Sequence, residues 1–586
     1  MAILAITALL AIRDSVCRWG IGVVLSLGLW DDGDRLNWRF QVRKWVLCLA
    51  FALMLPSVVW PAENRLSEER TVRYFDSIRR DPVRLLSFLR QMPKGGDLHN
   101  HLSGAVYAET YIQFAAETLC FDRAKGKLVR GDQQPCDPQQ GRPKVSDAYK
   151  DSVLFGDMVD AFSMRDFHPH CDFVGDAGNF TTRCESGHDH FFGTFGNFGQ
   201  AAWGHTPEMI AEVVRRAASQ NEHYLELMFG LDEGATSGVG AMVHARWQKE
   251  DADRVPDLAR SLEADKDFQA AIAAGLDHLR KLHESWQALL HCDDPAHREP
   301  GCAVKVRYLY QVPRAIDLDQ VLTKILVGFA MTHGDHQDAA KSNQEQLVLG
   351  LNLVQPEDSY VAVHDFDQQM LILNRLHGVY PDVHLSLHAG ELAPGLVPPE
   401  YLRDHIYKSV LVAGAERIGH GVDIVHEDDH GKLLAVMAKK NVMVEICLTS
   451  NDVILGIRGA DHPFKLYRDN KVPVALATDD EGVSRSDITH EYLKAAQTYD
   501  FLGYRDLKNM ARTSLEHSFL PGKSLWADST NFKAVSACGS PQDKPGAAQN
   551  SLSAGCQSFL TQNEHARTQW KLEEDFEQFE KVVIPQ

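Results

Sequence analysis

Short apolar segments rich in β-branched residues alternate along this chain with longer stretches in which apolar positions recur with a helical period. Eight strand-like segments occupy residues 96–102, 223–229, 304–312, 347–354, 383–388, 417–422, 441–448 and 472–478. Amphipathic helices are predicted between them, among others at 207–219, 268–289, 366–377 and 431–439. Strands that alternate with helices are typical of parallel α/β architecture. Eight such units favour a closed (β/α)8 barrel of the TIM type with inserted loops.

Two histidines lie on the first predicted strand, where polar residues are costly to bury. His99 and His101 are two residues apart, so strand alternation points both imidazoles to the barrel interior. A divalent metal would offset their desolvation, and hydrogen-bonded core histidines are the alternative. Because the active sites of such barrels lie at the carboxyl ends of the strands, the metal interpretation predicts a site there.

A second group follows the fifth predicted strand. His388 ends that strand, and Glu391 comes three residues later. Gly390 between them permits close approach of the backbone to a ligand. A carboxyl group kept protonated by apolar surroundings is suited to act as a general acid. A helix-capping role is the alternative for Glu391.

Two further clusters end the sixth and eighth predicted strands. His420 lies between two glycines in Arg-Ile-Gly-His-Gly. It is interpreted either as a residue close to the substrate or as a structural core histidine. Asp479 and Asp480 follow an apolar strand, and adjacent carboxylates there are costly without a cation or donors nearby. A polar loop start is the alternative for the two aspartates.

Taken together, the clusters predict one metal centre. His99, His101, His388 and Asp479 come from the ends of strands one, five and eight, and they form a mixed nitrogen and oxygen donor set suited to one Zn²⁺ per chain. Zinc in such a set lowers the pKa of bound water and makes hydroxide available at neutral pH. Iron or manganese would fit the same ligands.

The amino-acid composition says more about the possible binding partners of the protein than about its fold. Of 586 residues, 44% are hydrophobic and 24% charged, which is typical of a soluble globular protein. The formal net charge of −20 disfavours nucleic acid and anionic membranes as partners. The chain has no P-loop and no evident basic cluster for a phosphate, which disfavours a phosphorylated substrate.

The amino-terminal 62 residues have the pattern of a leader. Arg43 and Lys44 precede an apolar run at 46–60 and a polar exit, as in a secretory signal peptide. The run is shorter than the roughly 20 apolar residues that span a bilayer, so we expect no stable membrane span in the mature form. Because the signal lies far from residue 1, residues 1–41 are alternatively an over-extended reading frame. We expect export to the periplasm or the medium.

Cysteine spacing agrees with export. Eight cysteines form four close sequence pairs in polar loops: Cys120 with Cys136, Cys171 with Cys184, Cys292 with Cys302, and Cys538 with Cys556. Local disulfides of this kind persist in an oxidising compartment, and eight reduced thiols are the alternative. Cys447 follows a predicted strand and is expected to be a buried free thiol.

The motifs, in order, resemble those of the adenosine deaminase family of metal-dependent amidohydrolases. They are Gly-Asp-Leu-His-Asn-His-Leu-Ser-Gly-Ala, Leu-His-Ala-Gly-Glu, Arg-Ile-Gly-His-Gly and Ala-Thr-Asp-Asp, and the resemblance covers roughly residues 90–525. The long inserts and the leader make the chain more similar to secreted, growth-factor-related deaminases and their bacterial relatives than to compact cytosolic ones.

The resemblance implies a role for each site residue. His99, His101, His388 and Asp479 would hold the zinc, and Glu391 would protonate purine N1. His420 would act as base or electrostatic partner of the hydroxide, and Asp480 would hydrogen-bond N7 or the hydroxide. The implied reaction converts adenosine or 2′-deoxyadenosine to the inosine analogue and ammonia.

Two departures from the family pattern bear on the substrate. Ser103 stands where the family often has an aspartate that reaches the ribose, and Gln355 where it commonly has a glycine that contacts the purine. With Gly390, these residues are the expected substrate contacts. Deamination of another aminopurine, such as adenine or a 5′-modified adenosine, is therefore an alternative. A non-catalytic secreted binding protein is a further one, which the complete motif set disfavours.

Two regions lie outside the core pattern of the domain at 63–586. An insert at about 118–190, rich in Gly, Asp, Pro and Cys, is predicted to fold over the barrel mouth as a lid or a homodimer contact. The aromatic residues that follow, at 190–195, are interpreted as core, with substrate contact as the alternative. The tail from about 523 is predicted to be peripheral and pinned by Cys538–Cys556.

Overall fold

Eight parallel strands, numbered β1–β8 in chain order, form the central barrel. The structure is a computed structural model that describes residues 62–174, 181–247, 251–342, 344–545 and 551–583. The strands are β1 (Gly95–His101), β2 (Glu222–Phe229), β3 (Lys305–Pro313), β4 (Val348–Val354), β5 (His384–Ala389), β6 (Arg417–His420), β7 (Met443–Ile446) and β8 (Val474–Leu476). Their order in the sheet follows the chain. The predicted fold class and all eight predicted strands are confirmed.

The barrel closes where the end of β1 meets the residues after β8. The Asp479 backbone N–H donates to the His99 carbonyl at 2.8 Å, and the His101 N–H donates to the Asp479 carbonyl at 3.1 Å. The buried Asp97 carboxylate accepts hydrogen bonds from the backbone N–H and the hydroxyl of Thr478. Closure of the barrel therefore places His99 and His101 of β1 next to Asp479, which follows β8.

Helices cover the outside of the barrel. The longer ones are Ala62–Ile78, Pro82–Gln91, Thr206–Ser219, Val255–Glu263, Lys266–Leu289, Leu318–Ser342, Phe366–His377, His430–Lys440, Ile488–Thr498, Tyr504–Glu516 and Glu564–Val582. In Thr206–Ser219, Pro207 starts the helix, and apolar side chains such as Ile210 and Val214 form its buried face. Lys266–Leu289 begins where the Asp265 carboxylate accepts hydrogen bonds from two first-turn N–H groups. The four predicted helices are present with bounds shifted by at most two residues.

The insert after β1 contains two disulfide-linked hairpins and two helices. Leu119–Asp122 pairs with Lys127–Arg130, and His170–Val174 pairs with Thr181–Glu185. The helix Ser152–Phe162 lies between the hairpins, and the helix Gly187–Ala202, called the aromatic helix below, follows them. All four predicted disulfides are present, and Cys447 is a buried free thiol.

The insert lies against the mouth of the barrel, as predicted. The aromatic helix packs on the helix Leu448–Leu455, which follows β7. The Met164 N–H donates to the carbonyl of Val483, just after β8, at 2.8 Å. Phe191 and Phe198 are buried, and the Phe198 ring stacks on Tyr111 with centroids 4.3 Å apart. The aromatic residues are thus largely core of the insert.

The carboxyl-terminal tail is not peripheral, and this prediction was wrong. The last helix, Glu564–Val582, places Leu572, Phe576 and Phe579 in the main hydrophobic core. Phe579 packs edge-on against Phe88 at 5.1 Å between ring centroids. The three apolar residues lie on one helical face, so their burial offsets the cost of ordering the tail. The Cys538–Cys556 disulfide pins the preceding segment as predicted.

The predicted leader at 1–62 lies almost wholly outside the described residues, which begin at residue 62. Within the described parts of the chain, no helix has both the length and the apolar character needed to cross a bilayer.

Candidate metal centre and active site

Three imidazoles converge at the mouth of the barrel. The Nε2 atoms of His99 and His388 are 3.1 Å apart, and the His101 Nε2 atom lies 3.2 Å from the first and 3.3 Å from the second. The Asp479 Oδ1 atom lies 3.5 Å from the Nε2 atoms of His99 and His101. Tetrahedral ligands at about 2.0–2.1 Å from zinc are separated by about 3.3 Å. The four predicted ligands are therefore brought together at the spacing that a single metal ion requires.

Each of these three imidazoles has an oxygen beside its other ring nitrogen. The pairs are His99 Nδ1 with Glu445 Oε2 at 2.6 Å, His101 Nδ1 with Gln311 Oε1 at 3.0 Å, and His388 Nδ1 with Asn352 Oδ1 at 2.6 Å. An oxygen acceptor draws the ring proton to Nδ1 and leaves the Nε2 lone pair free for a metal. The donor chemistry of the cluster thus fits zinc.

Electrostatics also favours a cation at this point. Burial lowers the pKa of His99, but hydrogen bonds to Asp479 and Glu445 and their negative charges outweigh it and raise the pKa to about 10. Burial, with the charge of His99, lowers the pKa of His101 to about 4 and that of His388 well below its ordinary value. The two carboxylates therefore stabilise positive charge at this point, either a proton on His99 or a metal ion that takes its place.

His420 lies beside the cluster as a further ligand candidate, because one ligand atom from each of His99, His388, His420 and Asp479 lies within 4.8 Å of the others. Its Nε2 atom is 3.9 Å from Asp479 Oδ2, and its Nδ1 atom is 3.7 Å from Glu391 Oε1. His420 and Asp479 both have positive φ, +67° and +61°, which side-chain-bearing residues seldom adopt. Such strain at two strand ends is typical of positions that serve function.

Glu391 is held as a neutral acid beside the centre. Burial raises its pKa well above the ordinary value, and the negative charges of Asp479 and Glu357 raise it further. Its Oε1 atom is buried and has no hydrogen-bond partner within the described parts of the chain. A buried carboxyl group that carries a proton and lacks a partner can give that proton to a bound ligand.

Glu357 builds the turn that carries Glu391, and it is ionised. Its carboxylate accepts the backbone N–H groups of Gly390 at 3.0 Å and Glu391 at 3.2 Å. Burial raises the pKa of Glu357, but the Arg314 charge and the hydrogen bond from His405 outweigh it and lower the pKa to about 2. Gly390 has φ +80°, and a Cβ there would lie 2.3 Å from an Asp423 oxygen, so only glycine fits this turn.

Asp480 lies beside Asp479 and under the first loop of the barrel. Burial and the charge of Asp479 raise the pKa of Asp480 well above its ordinary value. A Cβ on Gly104 would lie 1.6 Å from Asp480 Oδ1, so the carboxyl group occupies the space that this glycine leaves. Ser450 hydrogen-bonds the other member of the pair, Asp479, through Oγ at 2.6 Å.

The three expected substrate contacts differ in their placement. Gly390 adjoins Glu391, as described above. Ser103 is half-buried, and its carbonyl accepts the Tyr111 hydroxyl at 2.6 Å. Gln355 is exposed, and its Oε1 atom accepts the Ala315 N–H at 2.8 Å. Its φ of +85° is in the region that glycine favours, so the backbone keeps the conformation expected of the family's glycine.

Comparison with known proteins matches one segment of the chain to a known family. Residues 314–526 match the family model described as adenosine deaminase. This segment of the chain is therefore similar to the adenosine deaminase family. The match contains the positions of His388, Glu391 and His420 and the Asp479–Asp480 pair, whereas the β1 histidines precede it.

Bacterial adenosine deaminases are similar over part of the chain. The Escherichia coli enzyme is 34% identical over 140 residues, which are 24% of this chain and 38% of that protein. The Salmonella heidelberg enzyme is 36% identical over 138 residues, 23% of this chain and 38% of that protein. The alignment thus spans well under half of these relatives.

Solved structures are similar at lower identity. The apo N6-methyl-AMP deaminase of Arabidopsis thaliana is 19% identical with a TM-score of 0.44, covering 74% of this chain and 94% of that one. An adenine deaminase from Arthrobacter aurescens is 13% identical with a TM-score of 0.38, covering 73% and 94%.

Sequence reasoning missed the residues that support the candidate metal ligands. Glu445, Gln311 and Asn352 lie within β7, β3 and β4 and touch the imidazoles from outside. The signal was a charged or amide side chain inside an otherwise apolar strand, which is costly unless it is paired. The partners lie far away in sequence, so the pairing itself is visible only in the folded chain.

Proposed function

We propose that this chain is a zinc-dependent hydrolase that converts adenosine or 2′-deoxyadenosine and water to inosine or 2′-deoxyinosine and ammonia. The observation that carries the proposal is the meeting of four possible metal donors with the buried, unpartnered carboxyl oxygen of Glu391 at one barrel mouth. Similarity to the adenosine deaminase family supports the reaction type.

His99, His101, His388 and Asp479 would hold one zinc ion. When bound, zinc lowers the pKa of water and supplies a nucleophile at neutral pH. Glu391, which is neutral at that pH, would donate its proton to the purine ring nitrogen nearest the exocyclic amine. Protonation there withdraws electrons from the carbon that water attacks, so the amine can leave as ammonia.

The substrate would enter on the side of Asp480, Gly390 and Gln355. Asp480 is neutral in this environment, and its buried Oδ1 atom has no hydrogen-bond partner among the described residues. It would therefore donate a hydrogen bond to a ring nitrogen.

We propose that the mature protein acts outside the cytoplasm. Four local disulfides support this location, because such bonds persist in oxidising compartments. Fractionation of the native host should find the protein in the periplasm or medium with an amino terminus near residue 63. Recovery of an uncleaved, reduced chain from the cytoplasm would contradict this.

The function is tested by following the ultraviolet absorbance of adenosine, 2′-deoxyadenosine, adenine and a 5′-modified adenosine with zinc-loaded protein. We expect turnover of the first two, and a loss of roughly 10²–10⁴-fold in Glu391→Gln with unchanged zinc content. Glu400→Gln, an exposed glutamate near the same loop, serves as the matched control and should retain full activity. Absence of turnover by a folded, zinc-loaded protein, or full activity in Glu391→Gln, would exclude the proposal.

A further inference from the structure

A chain of three buried side chains leads from a backbone amide to His420. The Phe464 N–H donates to His462 Nδ1 at 3.1 Å. A backbone N–H can only donate, so this ring nitrogen must accept. Burial lowers the pKa of His462 to about 3, so the ring is neutral and its single proton lies on Nε2.

The next link fixes the orientation of an amide. His462 Nε2 lies 3.1 Å from Asn451 Oδ1, and Asn451 Nδ2 lies 2.9 Å from His420 Nδ1. Rotating the Asn451 amide by half a turn would place its NH₂ group against the His462 N–H, donor against donor. The amide therefore donates to His420, and His420 Nδ1 accepts.

The proton of His420 consequently lies on Nε2, the nitrogen that faces the centre. A doubly protonated His420 is excluded by the same contact, because its Nδ1–H would oppose the Asn451 NH₂ group. The Nε2 atom is buried and has no hydrogen-bond partner within the described parts of the chain. The nearest carboxylate oxygen, Asp479 Oδ2, is 3.9 Å away, too far for a hydrogen bond.

This arrangement is the reverse of that in the three ligand histidines. An oxygen beside Nδ1 leaves the Nε2 lone pair of His99, His101 and His388 free. In His420, by contrast, Nδ1 accepts a hydrogen bond from an N–H group, so the ring proton lies on Nε2. A nitrogen that carries a proton cannot coordinate a metal and cannot accept a proton from water.

We infer that His462 and Asn451 are positioning residues that fix the tautomer of His420, so that His420 acts as an Nε2–H donor to the attacking oxygen and neither as a metal ligand nor as the base. The inference rests on the proposed function for its catalytic consequence. Of the two roles that the family resemblance left open for His420, it selects the electrostatic one.

The tautomer itself is tested by neutron diffraction from deuterium-exchanged crystals of the metal-free protein. We expect a deuteron on Nε2 of His420 and none on Nδ1, and a deuteron on Nε2 of His462. A deuteron on Nδ1 of His420 would overturn the inference, whether or not the enzyme is active.

Two substitutions test the control of that tautomer. Asn451→Asp keeps the size and keeps an acceptor for His462, but offers His420 an acceptor in place of a donor. We expect a deuteron on Nδ1 of His420 and a fall in kcat of roughly 10²-fold with KM within about threefold. His462→Gln keeps both a donor for Asn451 and an acceptor for the Phe464 N–H, so kcat and tautomer should remain close to wild type.

His283→Phe is the matched control, since His283 is also a buried histidine bonded to a side chain, Tyr308, distant from the centre. It should change the unfolding temperature without changing the tautomer of His420. An Asn451→Asp protein that folds, keeps the deuteron on Nε2 and keeps its kcat would refute the inference. If wild type deaminates no aminopurine and yet shows the Nε2 deuteron, the proposed function fails while the assigned tautomer stands.

Discussion

Among single residues, Gly104 shows how strongly the centre depends on a missing side chain. A Cβ on Gly104 would overlap Asp480 Oδ1 at 1.6 Å, and the carboxyl group of Asp480 is buried. We expect Gly104→Ala to displace Asp480 and to lower kcat/KM at least tenfold, about 1.4 kcal/mol of transition-state stabilisation. Steady-state kinetics on adenosine measure the effect.

The control for this substitution is Gly196→Ala. Gly196 lies on the exposed face of the aromatic helix, and a Cβ there meets no atom within 4 Å. Alanine should leave kcat/KM unchanged and stabilise the helix by up to about 1 kcal/mol. If kcat/KM were the same in Gly104→Ala and Gly196→Ala, catalysis would not depend on the observed position of Asp480.

The residues that the sequence predicts are those whose chemistry is unusual by itself. His99 and His101 share one strand face, and Asp479 and Asp480 end an apolar strand, so burial alone makes them conspicuous. Residues such as Asn451 and His462 belong to polar segments in which asparagine and histidine are common. Their role arises only from a contact with His420, which the fold creates.

At the scale of elements, the insert bridges opposite sides of the barrel mouth. It leaves the barrel after β1, and the aromatic helix packs on segments that follow β7 and β8. At the start of that helix, His188 Nε2 lies 3.0 Å from Asp358 Oδ1, in the loop after β4. Because β4 lies across the barrel from β8, this contact ties the insert to the far rim, one residue from Glu357.

We expect this contact to stabilise the protein mainly at acidic and neutral pH. Burial lowers the pKa of His188, but its hydrogen bond to Asp358 and the charge of Asp358 outweigh it and raise the pKa. A raised pKa in the folded state means that the stabilisation is complete below the unfolded value of about 6.5 and is lost as the pH rises through the folded value. His188→Gln should reduce the free energy of unfolding by about 1 kcal/mol at pH 5.5 and by less at pH 9.

Thermal unfolding of both proteins at the two pH values measures this difference. His364→Gln is the control, because the His364 side chain is exposed and its Nδ1 atom lies 2.7 Å from the carboxylate of the neighbouring Asp365. A loss of stability in His188→Gln that is the same at both pH values would argue against a protonated His188 in the contact.

The elements themselves were predictable to different degrees. Long apolar strands and amphipathic helices are local signals, so β1–β8 were found in the correct order. The hairpins of the insert are short, and the disulfides Cys120–Cys136 and Cys171–Cys184 hold them together with the burial of Phe121 and Leu128 in the first hairpin. The helix Glu564–Val582 belongs to the tail that was predicted to be peripheral, and charged residues interrupt its apolar face. Those residues form ion pairs in the fold, such as Glu573 with Arg512.

For the whole molecule, the proposed metal centre would act as a cross-link within the barrel. Its proposed ligands come from the ends of β1, β5 and β8, elements separated by up to 380 residues in the sequence. Without a metal, the carboxylates of Asp479 and Glu445 retain a proton on His99, and the neighbouring imidazoles are buried without a common partner. Metal binding should therefore stabilise the folded chain as a unit.

We expect removal of zinc to lower the unfolding temperature of the entire barrel. A ligand present at a thousandfold excess over its Kd stabilises the folded state by about 4 kcal/mol, which corresponds to a shift of several degrees in a chain of this size. Differential scanning calorimetry with and without a chelator measures the shift.

Two variants serve as controls for this experiment. Glu391→Gln should show the same zinc-dependent shift in unfolding temperature as the wild type, because Glu391 is proposed to act on the substrate and not on the metal. His388→Ala should abolish it, since one ligand is lost. A zinc-dependent shift that survives in His388→Ala would mean that the ion which stabilises the protein is bound elsewhere.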